Sequence, residues 1–241
     1  MMTRASAVVL LALITAAPGA PGPGLPARVT YQFGLLRLGP QWTPERMPAT
    51  DSIQAGHMAN IGRMFEEGLL VASGPVLRGG QIRGVFVFRD DSLARLRERV
   101  ARDPAVRSGR LVMDLHPWIA PAGIGAPYRR MAAQTGHRDS MCRFPLALMK
   151  RGSAAALPES LRKAHDRAIV AGLASGELAS AGPFLDDGDI RGIVVFRGDS
   201  TAAQRWVTAN PAVRAGHLTT EMLTWFAAWG TWPGDTLAPP R

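Results

Sequence analysis

The chain has 241 residues, 46% of them hydrophobic and 20% charged, with a formal net charge of +9. That balance is globular and long enough to bury a core without disulfides, and it excludes a disordered or fibrous chain. One cysteine, Cys142, excludes an intrachain disulfide and a cysteine-built zinc site, and the 26 arginines are scattered without the basic, aromatic-interleaved stripe of a nucleic-acid binder.

Residues 1–22 read as a signal peptide. Arg4 supplies a positive start, Ala5 to Ala17 is an apolar run, and small residues follow at Ala16, Ala17 and Gly19. An uncleaved interfacial anchor is the alternative. Pro18, Pro21 and Pro23 stop the run short of a membrane span. The reading is therefore an exported protein, periplasmic or secreted, with no stable membrane span after cleavage.

After the leader, the elements alternate in a recognisable order. Phe33 to Leu38 reads as a strand. Asp51 to Glu67 has helical periodicity, with Ile53, His57, Ile61 and Met64 on one stripe and Gly68 as a stop. Leu69 to Ser73 is a short strand ended by Gly74-Pro75. Gly79-Gly80 makes a turn into the strand Ile82 to Arg89. A helix begins at Asp91 or Ser92 and ends before Asp103-Pro104, and Arg110 to Leu115 is a last strand.

The same order then repeats. At a constant offset of 108, Ile82-Arg83-Gly84-Val85-Phe86-Val87-Phe88-Arg89 falls on Ile190-Arg191-Gly192-Ile193-Val194-Val195-Phe196-Arg197. At an offset of 107, Asp103-Pro104-Ala105-Val106 falls on Asn210-Pro211-Ala212-Val213, and Trp118 falls on Trp225. The first strand of the second copy is placed more weakly, with Tyr31 to Leu36 on Phe144 to Met149. The expected organisation is a first domain over 28–121, a Gly-, Ala- and Arg-rich linker over 122–140, and a second domain over 141–232. The expected fold class is α+β: two tandem ferredoxin-like βαββαβ units. Each unit leaves one sheet face bare, so the two are expected to pack as an intrachain pseudo-dimer.

These residues resemble the YCII-related (YciI-like) domain: the helix His57, Gly74-Pro75, Gly84 and Asp103-Pro104, repeated as His165, Gly182-Pro183, Gly192 and Pro211. The resemblance implies a dimeric α+β barrel. It also implies a site built on the helix histidine and the acid before proline, which is His57 with Asp103 in the first copy. The second copy keeps His165 but has Asn210 where the acid stands.

Imidazole exchanges a proton near neutrality, and a carboxylate on one ring nitrogen fixes its tautomer. His57, Asp103 and His165 are therefore the candidate catalytic residues; a packed core histidine and a helix-ending Asp-Pro turn are the competing readings. Arg83 and Arg191 are candidate anion ligands, and Gly74 and Gly182 candidate points of close backbone approach to a ligand. His116, His137 and His217 lack metal-ligand spacing, so no metal is expected, and no cofactor, haem included, is marked by a motif. The expected partner is a small, partly apolar molecule bound between helix and sheet. Two functions stay open: acid–base catalysis of the isomerase or lyase type, and a non-catalytic binding or structural module.

Overall fold

The computed structural model describes residues 27–135, 140–154 and 157–235. The expected signal segment lies outside the described residues. The first half runs β1 (Arg28–Leu38), α1 (Pro48–Glu66), β2 (Leu70–Leu77), β3 (Ile82–Phe88), α2 (Leu93–Ala101), α3 (Pro104–Arg107) and β4 (Leu111–Pro121). A helix α4 (Ala126–Thr135) follows. The second half runs β5 (Met141–Arg151), α5 (Glu159–Ser175), β6 (Leu178–Pro183), β7 (Ile190–Phe196), α6 (Ser200–Ala209), α7 (Pro211–Arg214) and β8 (Leu218–Ala228).

All strand pairs are antiparallel, in the order β4-β1-β3-β2-β8-β5-β7-β6. The result is a nearly closed eight-stranded barrel in an α+β protein. The internal registers match: Gly34 lies opposite Phe86, and Ala147 opposite Val194. The two seams match as well. Val76 pairs with Trp225 at one, and Trp118 bridges Phe184 at the other. Shifted by the repeat offsets, Val76 becomes Phe184 and Trp118 becomes Trp225.

Strand alternation sorts the apolar residues into an inner and an outer layer. Phe33 and Leu35 of β1, Val85 and Val87 of β3, and Leu146 and Leu148 of β5 point into the barrel, where Trp118, Trp225 and Trp232 fill the space. The intervening Leu36, Phe86 and Phe88 face the other way, onto Met64 of α1 and Leu96 and Val100 of α2. Ala147, Val194 and Phe196 do the same in the second half, against Ile169 and Val207.

Five elements differ from the sequence reading: β1 begins at Arg28 rather than Phe33, and a short helix, α3, follows Asp103. β2 continues through Gly74-Pro75 to Leu77, because Val76 and Leu77 pair with β8 across the seam. β4 runs on to Pro121, because it pairs with β1 along its whole length. The expected linker contains α4: Gly123 and Gly125 take positive φ, and Ala126-Pro127 then opens a run of good helix formers. Arg129 of α4 anchors it by donating to the carbonyls of Phe65 and Leu70, at 2.7 and 3.2 Å.

Among the described residues, no helix is long and apolar enough to cross a membrane.

Candidate functional site

The pyrrolidine of Pro104 holds Asp103 in extended backbone (φ −62°, ψ 129°), which ends α2 and makes Asp103 the N-cap of α3. Its carboxylate accepts from the backbone N–H groups of Ala105 and Val106, at 2.9 and 3.4 Å. The same carboxylate meets His57 Nδ1 with both oxygens at 2.9 Å. Asn60, one turn along α1, donates from Nδ2 to Asp103 Oδ2 at 2.7 Å, and Arg63 donates to Asn60 Oδ1.

An ionised carboxylate only accepts, so His57 carries a proton on Nδ1, and the neutral form of the ring has its lone pair on Nε2. Nε2 makes no hydrogen bond among the described residues. The residue is 6% exposed, its ring edge against Phe86. Burial raises the Asp103 pKa, but the hydrogen bond and charge of His57, the Asn60 amide and the Ala105 N–H outweigh it, and the net shift is downward.

The second half repeats this geometry with an amide. Asn210 caps α7, its Oδ1 accepting from Ala212 at 3.1 Å and from His165 Nδ1 at 3.0 Å. Asn60 and Arg63 have Ala168 and Ala171 as counterparts. Asn210 Nδ2 is accordingly buried without a partner among the described residues. The polar row His57–Asp103–Asn60–Arg63 therefore belongs to the first half alone. It continues along α1 through Arg63 and Glu67, 4.0 Å apart, to the ion pair of Glu67 with Arg99.

Glu67 and Arg99 form one wall of a cleft of about 940 Å³, at the end of the first half where β1, α1, β3 and α2 meet. Thr30, Gln32, Gly68, Leu69, Arg89 and the segment Asp90 to Arg95 complete it. His57 does not line it. Most of its lining residues are polar or charged, while apolar atoms make up about half of the exposed lining; it lies at one end of the first half rather than between helix and sheet, where the ligand was expected. The physical reason is packing: Leu36, Phe86 and Phe88 of the sheet and Met64, Leu96 and Val100 of the helices fill the space between the two.

The other candidates lie apart from the cleft. Arg83 is exposed and sits over the Trp42 ring, 5.3 Å from its centroid. Arg191 donates to the Gly188 carbonyl at 3.3 Å. Gly74 and Gly182 stand at the two seams, where an added Cβ would overlap the carbonyl oxygens of Phe226 and Ile119. The close approach at these glycines is between strands of the two halves. Among the described residues, no group of three or more His, Cys, Asp or Glu is placed to hold a metal ion.

Sequence reasoning missed the cleft, Asn60 and a second histidine pair. His116 of β4 lies 2.7 Å from Asp186 of the opposite half and stacks on Phe184 with ring centroids 4.5 Å apart. The missed signal was in the repeat itself: Arg89 and Arg197 end matching strands, and Asn60 has an alanine for its counterpart.

No protein-family profile matches the chain, and no curated protein matches it. Solved structures do. A variant of the chlorite dismutase of Candidatus Nitrospira defluvii aligns at TM-score 0.52 and 15% identity, over 83% of this chain and 91% of that one. The cyanide complex of another variant aligns at TM-score 0.51 and 13% identity, over 83% and 90%. A haem-binding protein from Thermus thermophilus aligns at TM-score 0.49 and 16% identity, over 85% and 94%. A haem does not fit the residues of the cleft, since no His, Cys, Met or Tyr lines it to take an axial position. At these identities the likeness extends to the fold, and the chain has the architecture of the dimeric α+β barrel proteins.

Proposed function

We propose that the chain is two tandem ferredoxin-like units of the YCII-related kind, acting as one intrachain dimeric α+β barrel. In this reading it binds a small molecule and moves a proton on it, with His57 as base and Asp103 orienting the ring. The observation that carries the reading is the His57–Asp103 contact at 2.9 Å, which holds a proton on Nδ1 and makes Nε2 the accepting atom of the neutral ring. The imidazolium formed on proton uptake is stabilised by a carboxylate that two backbone N–H groups and Asn60 already hold in place. His165 faces an amide, which holds the ring without offsetting its charge, and is the weaker base of the two. Export belongs to the same proposal and rests on the apolar run before residue 22 alone.

The test is hydrogen–deuterium exchange at carbon, followed by proton NMR in D2O on a mixture of small organic acids and ketones. The wild-type chain is expected to exchange at least one compound, with a loss of 100-fold or more in His57→Ala and no change in His165→Ala. Exchange that survives in His57→Ala overturns the assignment.

A second reading has its own observation. Asp103 and Asn210 each cap a short helix and each tie a histidine of the preceding long helix to it. That shared tie is a structural brace with no need for chemistry. Absence of exchange for every compound, with loss of folding in both histidine variants, is the result that favours it.

A further inference from the structure

The large cleft is lined by three arginines and three acids, and their pairing is uneven. Arg95 donates to Asp90 at 2.7 Å and to Asp91, and Arg99 pairs with Glu67. Arg89 has no acid partner among the described residues. The six lining charges cancel formally, but Asp91 is turned to solvent, with 91% of its side chain exposed. Arg129 adds a further guanidinium close by; burial and the charge of Arg89 both lower its pKa.

The duplicated chain shows what this arginine does when a carboxylate is supplied. Arg197 is the counterpart of Arg89, and the backbone matches: Arg89 N–H donates to the Leu69 carbonyl, Arg197 N–H to that of Glu177, each pair 108 residues apart. Arg197 is paired with Asp235, a fully buried carboxylate brought in by the segment after β8. That carboxylate also accepts from the backbone of Gly230 and Trp232, at 3.1 and 3.0 Å. The residue 107 positions before Asp235 is Tyr128, so the first half delivers no acid to Arg89.

A second group in the cleft lacks a partner. Gln32 is 4% exposed and lines the cleft. Its Nε2 donates to the Asp90 carbonyl at 3.2 Å, which fixes the amide, and its Oε1 is buried with no hydrogen bond among the described residues. An amide oxygen so placed wants a donor, and a carboxylate cannot give one.

We propose that the cleft binds a polyhydroxylated carboxylate, with its carboxylate on Arg89 and a hydroxyl donating to Gln32 Oε1. The guanidinium fork matches a carboxylate with two parallel hydrogen bonds. The polar side chains of Thr30, Glu67 and Asp90 accept from or donate to the remaining hydroxyls. This inference rests on the cleft being a small-molecule site, and it is independent of the proton chemistry assigned to His57, which does not line the cleft.

Calorimetric titration of the full chain with D-gluconate tests it, beside D-glucitol, which lacks the carboxylate, and hexanoate, which lacks the hydroxyls. Gluconate is expected to bind at least tenfold more tightly than either and to weaken tenfold or more in Arg89→Gln. Arg89 is exposed, so its replacement leaves the core intact. Glucitol or hexanoate binding as tightly as gluconate, yet weakened in Arg89→Gln, overturns the ligand class and keeps the cleft as the site. Gluconate binding that ignores Arg89→Gln overturns the placement, and no gluconate binding to the wild-type chain overturns the proposal.

Discussion

Asn210 Oδ1 accepts from His165 Nδ1 at 3.0 Å, in the place where the Asp103 carboxylate meets His57 in the other half. The two halves thus hold the same contact in a charged and a neutral form, which makes the charge itself testable. Asp103 titrates below the ordinary carboxylate range, through the causes given above. A depressed carboxyl stabilises the fold above its unfolded pKa and loses that contribution as pH falls through the folded value. Asp103→Asn is expected to cost about 1–3 kcal/mol near pH 7. The cost should shrink on acidification below about pH 4. Urea denaturation of both proteins across pH checks this.

Asp235 is the carboxylate of a buried ion pair with Arg197, whose side chain is 26% exposed. Removing one charge strands the other, and Asp235→Asn is expected to destabilise the chain by about 3 kcal/mol. Arg197→Gln together with Asp235→Asn should recover part of that loss, since no charge is then left unpaired. Thermal unfolding of the single and double variants reads both effects.

Glycine has opposite meanings at two places. At Gly182 an added Cβ would overlap the Ile119 carbonyl oxygen at the β4–β6 seam. Gly182→Ala is expected to destabilise by about 3 kcal/mol through overpacking. At Gly62, inside α1, an added Cβ meets nothing within 4 Å, and alanine there is expected to stabilise by about 0.5–1 kcal/mol. Denaturation midpoints moving in opposite directions are the expected outcome.

The seam between β4 and β6 includes the Trp118–Phe184 bridge, the Trp118 Nε1–H to Gly182 carbonyl bond at 3.2 Å, the Leu185 N–H to Pro117 carbonyl bond at 2.8 Å and the His116–Asp186 pair. Asp186→Ala is expected to cost about 1 kcal/mol overall. Its local signature is faster amide exchange at Leu185, with β1–β3 amides unchanged, measurable by hydrogen-exchange NMR.

Much of this was legible in the chain. The repeat offsets of 108 and 107 carry over to strand register and to both seams, because a strand's side-chain period of two leaves little freedom once one face is buried. His57 on the apolar stripe of α1 and Asp103 before Pro104 are local signals, and their meeting is a matter of where α3 packs. What stayed hidden depends on distant partners. Asn60 reads as an ordinary polar helix residue until Asp103 arrives beside it. His116 has no neighbour of interest in sequence, and Asp186 reaches it only when the barrel closes. Arg89 and Arg197 read alike, and their divergence comes from the segments after β4 and β8. The α4 segment reads as linker when its glycines are weighed above the Ala-Pro start and the helix formers that follow.

Two copies in one polypeptide also change what a single nucleotide substitution can do. In an assembly of identical subunits, one codon writes both histidine contacts, so losing the acid would remove it everywhere. Here Asp103 and Asn210 have separate codons, as do Asn60 and Ala168. The two contacts can therefore differ within one molecule, one charged and one neutral, which an assembly of identical subunits does not allow.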